Sequence, residues 1–345
     1  MTKKIHQLPL PPHFDPAQVS RVWRVPYQQI AGNAREWAGI HHLTPTTQDE
    51  LKIHLFLVDV QNTFCIPGFE LFVGGASGMD AVEDNIRLCE FIYHNLAAIT
   101  GISVTLDTHF TYQIFHETFW IDPQGNPPPP YTVISSADID SGKWAINPQI
   151  AVLFQKEINE LQAYVNYYVR KLTQSGKYAL TIWPFHALLG GIGHAMVASV
   201  EEAIFFHSIA RFNRPFLEIK GSEPLTEHYS IIKPEIMEDH RGMPIGRKSG
   251  HLMDILQSND AVIIAGQAKS HCVAFSVDDL LDEIKAVDPD LANRVYLLED
   301  CTSPIVIPGG IDYTQAANDY YTRFEQAGMH RVKSTTPLNE WIQIH

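Results

Sequence analysis

The chain has 345 residues, 45% of them hydrophobic and 19% charged, which suits a globular protein with a large core. Its net charge of −14 argues against a general nucleic-acid surface and against adhesion to anionic membranes. No apolar run reaches the length of a membrane span, the first residues lack the apolar core of a signal peptide, and the four cysteines form no CxxC pair, so a cytoplasmic location with free thiols is expected.

Residues 1–50, rich in Pro, Gln, His and Thr, read as an N-terminal extension wrapped on the surface, with residues 31–40 as a short helix and His41-His42 as a surface pair. Residues 51–345 read as a single domain with an insertion at about 122–177. Ile53-His-Leu-Phe-Leu-Val-Asp-Val60 is a strand ending in Asp59, an acid placed where open α/β sheets collect their site residues. Val82, Ile86, Cys89, Tyr93 and Leu96 then recur at helical spacing, with Cys89 as a core residue, and Gly101 closes that helix. The strand over residues 102–109 follows. Its Asp107 and His109 are two apart and share a face, which suits two ligands of one metal, and His116 follows on a loop.

Within the insertion a proline-stiffened loop precedes a helical stripe, Ile158, Leu161, Val165, Tyr168, Val169 and Leu172, closed by Gly176. This helix packs on the main domain or a second subunit, or forms a lid over the pocket. His186, just beyond Pro184, is a further candidate ligand. Val197, Val200 and Ile204 form a helix face, with Glu201 and Glu202 on the solvated side. Residues 215–221 form a short strand carrying Lys220 at its end, where a buried ammonium needs an acid or thiolate partner; Asp59 and Cys272 are the partners available. Residues 222–250 are polar and turn-rich and read as a loop near the pocket.

Ala261-Val-Ile-Ile-Ala-Gly266 is a buried parallel strand, and a small-residue turn leads from it to Cys272 at the start of a helix marked by Val273, Val277, Leu280, Leu281 and Ile284. A helix N-terminus favours a thiolate and aims N–H groups at an oxyanion. A strand over residues 294–301, a helix over 313–327 and an edge segment near Val332 complete the chain; Cys301 reads as structural. The alternation predicts a three-layer, doubly wound α/β fold with a mostly parallel sheet and a helical insertion. Asp59, Asp107, His109, Lys220 and the Cys272 turn all fall at strand C-terminal ends, which share one edge of such a sheet.

Leu57-Val-Asp-Val-Gln-Asn-Thr-Phe64, Asp107-Thr-His109 with His116, Trp183-Pro-Phe-His186, Ile219-Lys-Gly221 and Gly266-Gln-Ala-Lys-Ser-His-Cys-Val273, in this order, resemble the nicotinamidase/isochorismatase-like superfamily of cysteine hydrolases over residues 53–335. The resemblance implies the isochorismatase-like hydrolase fold and an Asp59–Lys220–Cys272 triad. It further implies an often cis peptide before Ala268, and an oxyanion hole made by the N–H groups of Ala268 and Cys272. It implies ring-pocket residues Phe64 and Trp183, and a divalent metal on Asp107, His109, His116 and His186, with zinc the first choice and iron or manganese also suited. The segment between His109 and His116 is one residue longer than in common nicotinamidases, the segment from there to His186 is far longer, Ala187 replaces a cysteine often found there, and Tyr229 only loosely matches a tyrosine after the lysine.

The activity expected is that of a metal-containing amidase hydrolysing a small, aromatic amide to acid and ammonia through a thioester on Cys272, in a homo-oligomer with no nucleic-acid or membrane partner. The alternatives are an isochorismatase-like or other amide or ureide hydrolase, a non-catalytic binding protein on this fold, and a metal-binding protein whose cysteine is incidental.

Overall fold

The computed structural model describes residues 7–174, 178–307 and 309–342, so Gly176 and the first six residues lie outside the description. In chain order the strands are β1 (Ile53–Val58), β2 (Ile99–Asp107), β3 (Trp120–Ile121), β4 (Ala145–Ile146), β5 (Phe216–Lys220), β6 (Ala261–Gly266), β7 (Val295–Leu298) and β8 (His330–Val332). The helices are α1 (Tyr27–Ile40), α2 (Asn62–Cys65), α3 (Asp80–His94), α4 (Ser136–Asp140), α5 (Pro148–Leu153), α6 (Ile158–Gln174), α7 (Ala198–Arg211), α8 (His251–Ser258), α9 (Cys272–Val287), α10 (Thr314–Gln326) and α11 (Leu338–Trp341). None of them is long and apolar enough to cross a membrane.

The chain divides into two compact units. The first comprises Met1–Leu106, Ala195–Glu218 and Gly250–His345, the second Asp107–His194 and Ile219–Ser249. The first carries the main sheet, ordered β5-β2-β1-β6-β7-β8. The β2, β1, β6, β7 and β8 neighbours pair in parallel. The central strands β1 and β6 are apolar nearly throughout because a parallel strand between helices buries both faces. Helices intervene between the parallel strands, as a parallel connection requires. Within this unit α1 packs on α7 through Ile30, Ala31 and Ala34, so the N-terminal stretch contributes to the core rather than lying on it.

Two further expectations change. Strand β2 starts at Ile99 and runs through Gly101, while the helix before it ends at His94. A Cβ at Gly101 would lie 2.6 Å from His54 Nδ1, so this glycine admits the histidine of the paired strand. Glu202 is buried on α7 rather than solvated; Tyr93 Oη donates to it at 3.3 Å and His13 Nε2 stands 3.7 Å away. The helix is covered on that side by the N-terminal segment, which a helical wheel of α7 alone does not reveal. In the second unit residues 222–250 hold no helix or strand, as the loop reading expects, and they bury Thr226, Glu227, Ser230, Ile231 and Ile232. The insertion in the same unit contains the small antiparallel β3–β4 pair and helices α4 to α6, with the apolar stripe of α6 buried as its period predicts.

Candidate active site

In the first unit, β1 and β6 run in register to Val58 and Gly266. Past those residues the two segments stay together, and the Gln267 N–H donates to the Val58 carbonyl at 2.8 Å. Gly266 has φ +116°, and a Cβ there would lie 2.0 Å from the Val58 oxygen, so only glycine permits this approach. The Gln267–Ala268 peptide is cis, as the resemblance implies.

Beside this turn is Asp59, fully buried, with a left-handed backbone at φ +48°. Thr105 on β2 holds it twice: its Oγ1 donates to Asp59 Oδ1 at 2.6 Å and accepts from the Asp59 N–H at 3.1 Å. Thr105 lacks any sequence signal of its own, because it is one more β-branched residue in a strand.

Cys272, 7% exposed, is the first residue of α9, where unpaired first-turn N–H groups and the helix dipole favour negative charge. The Ala268 N–H meets no hydrogen-bond acceptor among the described residues, and the Ala268 carbonyl accepts from His271 and Val273. The loop is held from outside. Gln267 Nε2 donates to Asp84 Oδ2 at 2.8 Å, and Lys269 N–H donates to the Ser303 carbonyl at 2.9 Å. Burial pushes Asp84 up to about 6, against the pull of its hydrogen bonds and of Arg87. Phe64, of the expected ring-pocket pair, is on α2 in this unit and is 8% exposed.

In the second unit, Asp107, His109 and His186 converge, with one donor atom from each within 4.8 Å of the others. His109 Nε2 stands 2.8 Å and His186 Nε2 3.8 Å from Asp107 Oδ2. The other nitrogen of each ring faces a carbonyl: His109 Nδ1 donates to Gly221 at 3.1 Å and His186 Nδ1 to Pro184 at 2.8 Å. Each Nδ1 must therefore carry a proton, and a cation that displaced the hydrogen between His109 Nε2 and Asp107 would meet an Nε2 lone pair from each ring. Burial would raise the Asp107 carboxyl, but His109 and Lys220 outweigh it and hold it well below the usual carboxylate range. Burial, reinforced by His109, lowers His186 well below the usual imidazole range and leaves it neutral. One carboxylate and two imidazoles, each imidazole oriented by a carbonyl, fit a divalent ion.

His116 lies beside these residues without joining the convergence. Its ring centre is 6.0 Å from that of His109 and 5.9 Å from that of His186. It is fully buried, and burial lowers it to about 4. Neither ring nitrogen completes a hydrogen bond among the described residues, although the backbones of Phe110 and Thr111 offset part of the effect of burial. Lys220, 2% exposed, donates from Nζ to Asp107 Oδ1 at 2.9 Å and to the His228 carbonyl at 3.1 Å. Asp107 is thus a partner of Lys220 that the sequence offered only as a metal ligand. Gly221, at φ +84°, has a role that its place in the Ile219-Lys-Gly221 piece did not reveal: a Cβ there would lie 2.6 Å from Asp107 Oδ1 and 2.8 Å from His109 Cε1. Trp183, 7% exposed, donates from Nε1 to Tyr229 Oη at 2.9 Å.

No family model matches the chain, and no curated protein matches it. Among solved structures, the yeast nicotinamidase bound to the inhibitor nicotinaldehyde is similar with a TM-score of 0.50 and 16% identity, over 81% of this chain and 99% of that one. A nicotinamidase/pyrazinamidase of Acinetobacter baumanii matches at 0.45 and 18%, over 84% and 98%. The N-carbamoylsarcosine amidase of Thermoplasma acidophilum matches at 0.39 and 12%, over 84% and 99%. The parallel sheet in the order β5-β2-β1-β6-β7-β8, with its intervening helices, is the α/β fold of the isochorismatase-like hydrolases, shared with the yeast nicotinamidase.

Proposed function

We propose that the chain is a metal-containing cysteine amidohydrolase of the nicotinamidase kind, which converts a small aromatic amide to its acid and ammonia. The observation that carries this reading is the turn after β6. It places Cys272 at a helix start and Ala268 just before it, while the paired strand β1 ends at the buried Asp59 on the same edge of the sheet.

In the reaction proposed, the Asp59 carboxylate takes the thiol proton, and Cys272 Sγ forms a bond to the amide carbon. The N–H groups of Ala268 and Cys272 hold the oxygen that becomes negative. The C–N bond breaks as Asp59 returns the proton to the departing nitrogen, releasing ammonia and leaving a thioester. Asp59 then takes a proton from water, whose oxygen attacks the thioester carbon, and the sulfur leaves and takes that proton back from Asp59 as the acid is released. Lys220 supplies positive charge for the ionised forms of the triad, and Phe64 and Trp183 line the ring pocket. Asp107, His109 and His186 would hold a divalent metal, with His116 as the further ligand the resemblance implies; when bound, the metal supplies a Lewis-acid pole for a ring nitrogen or a water. The N/O donor set suits zinc, iron and manganese.

The test is ammonia release from a panel of small amides, nicotinamide included, by metal-loaded wild type and Cys272→Ala. Release that disappears in a folded Cys272→Ala protein is the expected result. Substantial residual turnover in the variant would sink the mechanism. If nicotinamide is inert while another amide is cleaved, the chemistry stands and the substrate changes. No cleavage of any amide would overturn the amidase reading in favour of vinyl-ether hydrolysis or a binding role.

A further inference from the structure

The second unit contains a buried polar chain that the mechanism above does not use. Trp183 Nε1 donates to Tyr229 Oη at 2.9 Å, and Tyr229 Oη donates in turn to Glu227 Oε1 at 2.7 Å. On the far side, Tyr168 Oη donates to Glu227 Oε2 at 3.0 Å and accepts from the Glu227 N–H at the same distance. Tyr168 belongs to α6, the helix of the long insertion, and is fully buried; Glu227 is 2% exposed. One helical turn earlier, Tyr164 Oη donates to the Leu225 carbonyl at 2.6 Å. The inserted helix therefore grips residues 225–229 at two points on one face. The same short segment accepts the Lys220 ammonium at the His228 carbonyl, and His228 Nδ1 accepts the Gly221 N–H at 3.2 Å.

A buried carboxyl is costly to place in protein interior unless its oxygens are satisfied, and here each oxygen receives one phenol. Burial pushes Glu227 up to about 8, opposed by those phenols. A buried network satisfied in this way holds its members in one arrangement. What it fixes is the indole. A tryptophan ring has more than one available χ2, and the obligation to pair Nε1–H with Tyr229 selects one.

We propose that Glu227 is a positioning residue: backed by Tyr168 of the inserted helix and acting through Tyr229, it sets the plane of Trp183, and the insertion serves as a fixed buttress for that ring instead of a lid. The consequence for the reaction rests on Trp183 lining the substrate pocket; the positioning itself does not.

The experiment uses the full chain with ¹⁵N-labelled tryptophan. Among its six tryptophans, the Trp183 indole N–H resonance is assigned by its disappearance in Trp183→Phe. Glu227→Gln and Tyr168→Phe are then compared with wild type. Both are expected to shift or broaden the Trp183 resonance, and to raise KM for the cleaved amide about three- to tenfold with kcat within about twofold, the loss expected from one neutral hydrogen bond. Loss of thermal stability with the Trp183 resonance unmoved in both variants would overturn the proposal, since a merely structural network predicts that. A resonance that moves while KM stays constant would uphold the positioning and refute Trp183 as a pocket wall. Tyr168→Phe removes a single oxygen and carries the test should Glu227→Gln fail to fold.

Discussion

Thr105 decides how Asp59 is presented. Its hydroxyl meets the carboxylate at 2.6 Å and the backbone N–H at 3.1 Å, in a place no water reaches. Thr105→Val keeps the shape and removes both bonds. A hydrogen bond to a charged group is worth about 1.5–3 kcal/mol, so kcat/KM for the cleaved amide is expected to fall about 10- to 100-fold, with far-UV circular dichroism unchanged. An unaltered rate would show that Asp59 is held by other means. Gly221 decides how Asp107 and His109, the proposed metal ligands, approach one another. Gly221→Ala places a methyl 2.6 Å from Asp107 Oδ1 at a backbone φ of +84°, and both effects disfavour the convergence. Metal content per chain, measured by plasma mass spectrometry after dialysis, is expected to drop severalfold; full retention would separate the metal from Asp107 and His109. Neither residue stands out in the sequence, since a strand threonine and a glycine after a lysine are both common. Asp59, Asp107, His109, His186, Lys220 and Cys272 do stand out, because an acid, imidazole, ammonium or thiol that ends an apolar segment needs a reason.

At the scale of elements, the strands and long helices follow from periodicity. The uncharged run of β6 and the 3.6-residue stripe of α6 are visible without coordinates, and both are buried as expected. The elements that change are those whose environment comes from elsewhere in the chain. Helix α1 is the clearest case. Its mean polarity suggests a surface piece, yet Ile30 and Ala34 are almost wholly buried against α7, and Tyr27 and Phe205 bring their rings to 5.0 Å. Ile30→Ala is expected to lower the unfolding free energy by about 2–5 kcal/mol in urea titrations, the usual range for a large-to-small core change. A loss below about 0.5 kcal/mol, typical of surface substitutions, would return the segment to the role of a loose extension.

For the whole molecule, two sets of buried groups set the response to acid. Burial lowers His54 to about 3, His207 to about 4 and His271 to about 3, so the unfolded chain, with imidazoles near 6.5, takes up protons that the folded chain refuses. That imbalance reduces stability as pH falls below about 6.5. Burial raises Asp84 to about 6, Glu202 to about 7 and Glu227 to about 8, so the folded chain binds protons that the unfolded carboxyls, near 4, have not yet taken. That imbalance increases stability as pH falls from about 8 toward about 4. Between about pH 6 and 5 the carboxyls offset these three histidines, but His116 and His186, lowered by burial as well, leave a net loss, and below about 4 the histidine imbalance dominates. The unfolding midpoint of the metal-free protein is therefore expected to fall gently from about pH 6 to 5 and steeply from about 4.5 to 3.5. A decline as steep between about pH 6 and 5 as below about 4.5 would mean that the carboxyls are ionised in the folded state.

The residue pattern alone tells where most strands and the long helices lie and which of their ends carry acid, imidazole, ammonium and thiol. Burial patterns and costly polar residues are local properties, and they survive translation into one dimension. The folded chain alone reveals that Thr105 holds Asp59, that Lys220 bonds to Asp107, that His116 stands aside from Asp107, His109 and His186, and that Tyr168 reaches Trp183 through Glu227 and Tyr229. Three of these depend on side-chain atoms meeting within about 3 Å, the reach of a hydrogen bond, and the fourth on His116 not coming that close. The partners come from segments brought together by sheet register, glycine clearance and an inserted helix, and no spacing within a single segment encodes that meeting.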